Sequence, residues 1–151
     1  MTAWTDFYNL IKAGVTTEAA YQRLLGNNPD GTRDPAYPVY LNVDNLIDFM
    51  LNTIYTGNLD SAISFYASRP NNWYAIRDRT GEEGFKYFVH DAELTLLNVN
   101  ADRTSPPVNV GDASVLDSSP EWMWHKLLGN ATFRSAIADR IQKHFFNGGV
   151  F

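Results

Sequence analysis

Apolar side chains recur at helical spacing in five segments of this chain, and most of these segments are bounded by residues that start or stop helices. Residues 3–13 are followed by Gly14. The next segment starts at Thr16 or Thr17, whose hydroxyls suit the capping of free amides, and it ends at Gly26. The pattern therefore predicts two short amphipathic helices in the first part of the chain.

The strongest helical pattern lies at residues 43–55, directly after Asn42, which can cap a helix. Apolar side chains form one broad stripe along this segment, and two further apolar side chains widen the stripe toward full burial. We therefore expect a central core helix here. The stripe consists of Val43, Leu46, Ile47, Met50 and Ile54, and the two widening side chains are Phe49 and Leu51.

Two more helices are predicted in the last part of the chain. Ser119 and Pro120 give a cap followed by proline at the first helical position, and Gly129 ends that helix. Asn130 can cap the last helix, which has apolar side chains along one face and mostly charged side chains opposite. Asn130 and Thr132 also match a glycosylation sequon, and we interpret Asn130 as a helix cap.

One stretch has the pattern of a β-hairpin. Residues 73–77 and 85–89 are rich in aromatic and β-branched side chains, and a polar segment with two glycines separates them. Residues 98–118 form a long loop by composition. The elements together predict a predominantly α-helical α+β fold, with about five helices around a short antiparallel β-hairpin.

Composition indicates a single domain and argues against one class of binding partner. The chain has 151 residues, of which 44% are hydrophobic and 14% aromatic, so it suffices for one core and is too short for two. A net charge of −5 and a pI near 5.0 argue against nucleic acid as the main partner. There is no cysteine and no apolar run of membrane-spanning length, and the first residues lack the basic region and the apolar core typical of a signal peptide.

Two carboxylates follow the second strand of the predicted hairpin. Asp91 and Glu93 are two residues apart, so continued strand alternation would place them on one face, with His90 and Ala92 on the other. A buried ionised carboxylate needs a partner, because burial without compensation is costly. The end of this strand is therefore where the sequence places candidate chemistry.

Two interpretations of this pair remain open from the residues alone. Asp91 and Glu93 can share a divalent cation with the amide of Asn71 or Asn72 and the carboxylate of Asp60, because Mg²⁺ prefers such oxygen ligands. Alternatively, the carboxylates only end the strand. Their partners would then be backbone amides or the guanidinium groups of Arg77 and Arg79.

Other chemistry-bearing residues give weaker signals. The three histidines lie far apart and lack the spacing of metal ligands. No dinucleotide-binding, P-loop or nucleophile-elbow motif occurs. The four tryptophans could form a sugar-stacking surface, but their helical and strand spacing favours a place in the core. These tryptophans are Trp4, Trp73, Trp122 and Trp124.

Several segments, taken in order, resemble the second half of the kinase domain of bacterial spore-coat protein H-like (CotH) proteins. They include N-N-W-Y-A at residues 71–75 and G-F-K-Y-F-V-H-D-A-E at residues 84–93. The resemblance spans nearly the whole chain, and the order of the segments makes the set specific. The other segments are residues 42–50, 55–60, 130–134 and 139–149.

The resemblance implies an atypical protein-kinase-like fold and assigns roles by position. Asp91 would be the metal-binding aspartate and Glu93 a second acid, while Asn72 could take the second metal-ligand role. Asp60 would be the catalytic acid that orients the attacking hydroxyl. These roles are needed in phosphoryl transfer, because charge on the phosphate oxygens must be neutralised and the nucleophile held in line.

The resemblance also implies Mg²⁺ or Mn²⁺ with ATP as cofactors, a protein substrate with hydroxyl side chains, and an extracellular or cell-surface location. His90 stands where the family usually has tryptophan, which weakens packing behind the metal. The family's N-terminal half, with its nucleotide-facing lysine, does not match this sequence. We therefore expect a single domain that is a fragment, the second half of the kinase domain, with little activity alone and the missing half as its partner.

Two other functions remain as alternatives. The first is a non-catalytic surface or carbohydrate-associated binding module that has kept the fold and lost the chemistry. A glycosidase ranks third, because such enzymes need two carboxyls facing each other across the sugar, about 5–9.5 Å apart. Asp91 and Glu93 lie two residues apart on one predicted strand instead.

Overall fold

A computed structural model of the protein describes residues 2–63, 70–100, 102–104 and 111–151, and it confirms the predicted helix-rich α+β fold. Within these residues, five α-helices surround one two-stranded antiparallel sheet. The helices are α1 (Ala3–Ala13), α2 (Glu18–Leu24), α3 (Val43–Thr56), α4 (Pro120–Leu127) and α5 (Ala131–Phe145). The strands are β1 (Trp73–Ile76) and β2 (Lys86–Val89).

The helices begin where the sequence places their caps. The side chains of Thr17, Asn42 and Ser119 each accept a hydrogen bond from a backbone amide in the first turn of their helix. Asn130 accepts from the Phe133 amide at 2.9 Å. This hydrogen bond confirms the interpretation of Asn130 as a helix cap, and the residue is only 1% exposed.

The core is built around α3, as predicted. Leu46, Ile47 and Met50 have no exposed surface, and α3 packs against α4, α5 and β2. Full burial of one such side chain stabilises a fold by about 1.5–3 kcal/mol, so this stripe is a main source of stability. No helix in the described part of the chain is long and apolar enough to span a membrane.

The two strands pair with Tyr74 opposite Phe88 and Ala75 opposite Tyr87. Trp73, Ala75 and Tyr87 lie toward the core, whereas Tyr74, Ile76 and Phe88 are exposed on the opposite face. Tyr87 is 2% exposed, its hydroxyl donates to the sulfur of Met123 at 2.9 Å, and burial raises its pKa. The hairpin is therefore anchored in the core by its second strand.

The outer edge of β2 is covered by the segment that leads into α3. The Phe85 amide donates to the Tyr40 carbonyl at 2.8 Å, and the Asn42 amide donates to the Phe85 carbonyl at 3.3 Å. Further along, the Asn45 side chain accepts from the Tyr87 amide and donates to the Tyr87 carbonyl. One asparagine side chain thus takes the place of a neighbouring strand.

A charged cluster ties α5 to α3. Arg140 donates through Nε to Asp48 Oδ1 at 2.7 Å and through Nη1 to Asp44 Oδ2 at 3.0 Å, and its Nη2 also pairs with Asp48. His144 Nε2 lies 3.0 Å from Asp48 Oδ1. Phe133 is the one side chain of α5 that is fully buried in the core. The hydrogen bonds of Arg140 and His144 are therefore important for holding α5 against α3.

Glu121 is buried in the first turn of α4. Its side chain is 2% exposed, and its Oε1 atom accepts no hydrogen bond from the described residues. Burial raises the pKa of Glu121 to about 7. Burial disfavours the ionised form of this carboxyl, because a charge is costly to remove from water and Oε1 accepts no compensating hydrogen bond from the described residues.

The predicted loop at residues 98–118 contains one short 3₁₀ helix, Val115–Asp117. Residues 101 and 105–110 of that loop lie outside the described residues. Residues 64–69, in the passage that leads from α3 to β1, also lie outside them.

Candidate functional site

The candidate residues lie where β1 begins and β2 ends. Continuing the hairpin register places Asn72 opposite His90, and the His90 amide donates to the Asn72 carbonyl at 2.9 Å. Asn72 has a φ of 49° and Asp91 a φ of 50°. Asparagine and aspartate tolerate this left-handed conformation better than most other residues. It interrupts the extended backbone just before β1 begins and just after β2 ends.

The strand alternation predicted for Asp91 and Glu93 is wrong, because β2 ends at Val89 and the backbone turns at Asp91. The two carboxyls nevertheless meet. A hydrogen bond between them favours the protonated form of Glu93 and raises its pKa, and the negative charge of Asp60 contributes in the same direction. The turn, and not the strand, therefore brings these side chains together.

Asp60 is held by the two asparagines that precede β1. Asn71 Nδ2 donates to Asp60 Oδ2 at 3.2 Å, and Asn72 Nδ2 donates to the same oxygen at 3.1 Å. Asn72 Nδ2 also donates to the Asp60 backbone carbonyl at 2.8 Å. These bonds fix which end of the Asn72 amide faces Asp60, and its amide oxygen is the end that can bind a cation.

The backbone of the segment after β2 returns to the end of α3. The Leu59 amide donates to the Leu94 carbonyl at 3.0 Å, and the Leu96 amide donates to the Thr56 carbonyl at 2.7 Å. This connection carries Asp60 to the side of Glu93, although the two residues are far apart in the sequence.

Asn58 was not identified from the sequence, and it positions Asp60. Its side-chain oxygen accepts from the Asp60 amide at 3.0 Å, and its side chain is only 3% exposed. An asparagine two residues before an acid, directly after the Gly57 that ends α3, is a typical Asx-turn signal. That signal was available in the sequence.

The alternative that Arg77 neutralises Asp91 and Glu93 is wrong. Arg77 follows β1 at the opposite end of the hairpin, where its Nε donates to the Val39 carbonyl at 2.9 Å. Six residue steps lead from Arg77 back to Asn71, the position across from Asp91, which is a distance of about 20 Å at 3.3 Å per residue. In the described part of the chain, no basic side chain forms an ion pair with Asp91 or Glu93.

His90 is exposed beside this cluster. Its ring lies 5.0 Å from the ring of Tyr74 in an edge-to-face arrangement, and both rings are on the outer face of the sheet. The side chain at this position therefore packs on the hairpin surface and contributes no buried support behind the carboxylates.

The donor set suits a hard cation that is shared with a ligand. No three His, Asp or Glu side chains among the residues described here are arranged to hold a metal ion by themselves. Mg²⁺ in phosphoryl-transfer sites is commonly bound by one or two carboxylates, with phosphate oxygens and water completing its shell. Asp91, Glu93 and the Asn72 amide oxygen fit that chemistry.

The tryptophans divide into two groups. Trp122 and Trp124 are buried in the core, as expected. Trp4 and Trp73 are half-buried with ring centroids 6.0 Å apart, and they line an open cavity of about 360 Å³ between α1 and β1. We call this cavity the aromatic groove, and its lining residues are Trp4, Trp73, Tyr74, Ala75 and Phe85.

Comparison with known proteins gives one match. The family model described as CotH kinase protein matches residues 19–147, which is most of the chain and includes every candidate residue of the site. No curated protein and no solved structure matches the chain.

Proposed function

The chain belongs to the CotH kinase family, and on that basis we propose that it takes part in kinase-like, ATP-dependent phosphoryl transfer. In this proposal, Asp91, Glu93 and Asn72 bind Mg²⁺ or Mn²⁺, and Asp60 acts on the attacking hydroxyl of a protein substrate. The proposal concerns binding and positioning by this chain, and it does not require that residues 1–151 turn over ATP alone.

The observation that supports the proposal is the convergence of these side chains at one end of the hairpin. Asp60 and Asn72 are joined by hydrogen bonds of 2.8 and 3.1 Å. Asp91, and to a smaller extent Asp60, raises the pKa of Glu93, which places the three carboxyls near one another. Residues that are remote in sequence meet on an exposed surface that a phosphate group and a substrate hydroxyl can reach.

Each side chain would have a separate role. A divalent cation, when bound, would neutralise charge on the phosphate oxygens. Asp91 and Glu93 would hold it through carboxylate oxygens, and Asn72 through its amide oxygen. Asp60 would accept a hydrogen bond from the substrate hydroxyl, and the two asparagine amides would keep its carboxylate oriented, which reduces the entropic cost of alignment.

An extracellular or cell-surface location is part of the same proposal and is supported by the spore-coat family alone. The N-terminal half of the kinase domain remains the proposed partner that would supply the nucleotide-facing lysine. If the chain is instead a carbohydrate-associated module, it will bind no metal, and its tryptophan-lined groove will bind glycans whether or not Asp91 is intact.

Metal binding can be measured on the chain itself. We expect Mn²⁺ to bind, as followed by electron paramagnetic resonance of the free ion, and Asp91→Asn to weaken binding by about tenfold or more because one ligand charge is lost. Asparagine tolerates the left-handed φ of this position, so the variant should keep the fold. Asp139→Asn on the exposed face of α5 is the matched control.

Three results would overturn the proposal. These are no binding of Mn²⁺ by the wild-type chain, binding by Asp91→Asn as tight as that of the wild type, and equally weakened binding by Asp139→Asn. The last result would show that net charge alone attracts the ion.

A further inference from the structure

The two edges of the sheet differ in how many of their outward backbone groups are hydrogen-bonded. On the β2 edge, the backbone groups of Phe85 and Tyr87 are all hydrogen-bonded, as described above. On the β1 edge, the Asn71 amide donates to the Ser61 carbonyl at 2.8 Å, and the residues that the structure describes make no further backbone hydrogen bond to the outward groups of β1.

The pairing pattern identifies which groups of β1 face outward. In an antiparallel pair, residues alternate between those that bond across the hairpin and those whose backbone groups point away from it. Asn72 bonds across to His90, so Trp73 and Ala75 point away. Tyr87 supports this assignment. It lies opposite Ala75, and its own amide and carbonyl point away from the hairpin and bond to the Asn45 side chain.

Four backbone groups are consequently open on the β1 edge: the amide and the carbonyl of Trp73 and of Ala75. Within the part of the chain that the structure describes, none of the four has a hydrogen-bond partner. Edge strands are commonly protected by charged side chains, proline or bulges. The sequence of β1, W-Y-A-I, contains no charge and no proline.

The aromatic groove runs along this same edge. Trp73, Tyr74 and Ala75 of β1 form one of its walls, Trp4 of α1 contributes to the other, and Phe85 also lines it. Its volume of about 360 Å³ is sufficient for one large apolar side chain and contains few polar groups. An open strand edge beside an apolar groove is the arrangement that binds an extended peptide, with backbone bonds for affinity and the groove for selectivity.

We propose that β1 binds an extended segment of a second polypeptide by strand addition. A large apolar side chain of that segment occupies the aromatic groove, and a basic residue lies at the end where β1 begins, facing Asp91 and Glu93. The open backbone groups select a polypeptide over other ligands, because their alternating donors and acceptors match a peptide backbone. This inference goes beyond the proposed phosphoryl transfer and concerns the metal-free chain, because a bound cation would occupy Asp91 and Glu93.

The test uses a blocked synthetic peptide, acetyl-Lys-Lys-Thr-Val-Phe-Val-Thr-amide, and two N-methylated forms of it. One form is N-methylated at phenylalanine and both threonines, and the other at both valines. Only one of these alternate sets can donate hydrogen bonds to β1, so strand addition predicts that one form binds about tenfold more weakly or worse, while the other is nearly unaffected. Tryptophan fluorescence follows the titration.

Two protein variants and a spectroscopic signature complete the test. Ala75→Pro removes one outward amide without removing a bond across the hairpin, so it should weaken the peptide by about tenfold, whereas Ala75→Ser should not. Hydrogen exchange followed by NMR should show that the amides of Trp73 and Ala75 become protected when the wild-type chain binds the peptide. This readout and the N-methylated pair need only the wild-type chain, even if Ala75→Pro does not fold.

Several results would overturn the inference. These are no binding at millimolar peptide, equal binding of both N-methylated forms, or unchanged exchange at Trp73 and Ala75. Competition by maltoheptaose would identify a sugar site instead. Protection of the same two amides in a peptide-free dimer would show that a second copy of the chain occupies the edge. Failure of Mn²⁺ binding would leave this proposal standing, since the peptide titration contains no metal.

Discussion

Replacing Glu121 by glutamine should change how the stability of the protein depends on pH. Burial raises the pKa of Glu121 from an ordinary value of 4.5 to about 7. A carboxyl with a raised folded-state pKa stabilises the fold fully below pH 4.5, and that contribution is lost as the pH rises through about 7. Glutamine does not ionise, so Glu121→Gln should remove this loss.

The size of the effect follows from the shift. A difference of about 2.5 pKa units corresponds to about 3.5 kcal/mol when the pH range covers both pKa values, because each unit is worth about 1.4 kcal/mol. The partial positive charge at the start of α4 favours the ionised form by about 0.3–1 kcal/mol, which acts in the opposite direction. Because pH 5 to pH 8 covers most but not all of this range, we expect the stability difference between variant and wild type to change by about 2 kcal/mol between these two pH values.

Urea unfolding followed by tryptophan fluorescence at pH 5, 6, 7 and 8 gives this difference directly. Contributions from all other titrating groups cancel when the variant is compared with the wild type at each pH. The variant should be equal to or less stable than the wild type at pH 5, because its new amide N–H groups need partners. It should gain relative to the wild type as the pH rises.

Glu82→Gln, in the exposed hairpin turn, is the control and should leave the pH dependence unchanged. Parallel stability curves for Glu121→Gln and the wild type would refute the reasoning. They would mean that the Glu121 carboxyl is charged and satisfied in the folded protein throughout this range.

Three further substitutions test the contacts that hold the fold. Asn45→Ala should lower the free energy of unfolding by about 2–4 kcal/mol, because it leaves the amide and the carbonyl of Tyr87 without partners. Asn45→Asp should retain only the bond from the Tyr87 amide, and urea unfolding measures both variants. Asn130→Ala should cost about 1 kcal/mol and lower the melting temperature by a few degrees, with Asn130→Asp as the conservative control. Arg140→Lys should be less stable than the wild type by about 1 kcal/mol in low salt, because lysine cannot make the paired bonds to Asp48, and a difference that grows with added salt would contradict this explanation.

The helices could be predicted because each is encoded locally. The stripe of α3, its cap at Asn42 and its stop at Gly57 lie within one segment of the sequence, and the structure gives Val43–Thr56 where residues 43–55 were expected. The hairpin was predicted for the same reason. Aromatic and β-branched runs on both sides of a glycine-containing turn carry their own signal.

The geometry at the end of the hairpin could not be predicted in the same way. The pattern around Asp91 continues that of a strand, and only the structure shows the left-handed turn that brings its carboxyl to Glu93. Arg77 was a reasonable partner by its nearness in sequence, but the hairpin carries it to the opposite end. The open edge of β1 depends on what packs beside it, which is a non-local property that no local pattern encodes.

The buried contact between Tyr87 and Met123 has a consequence for oxidative damage. The sulfur of Met123 is shielded completely, so peroxide can reach it only when the core around the hairpin opens. Conversion to the sulfoxide would place a polar group among apolar side chains and would hinder reclosure. The rate at which peroxide oxidises Met123 therefore reports how often the core around the hairpin opens.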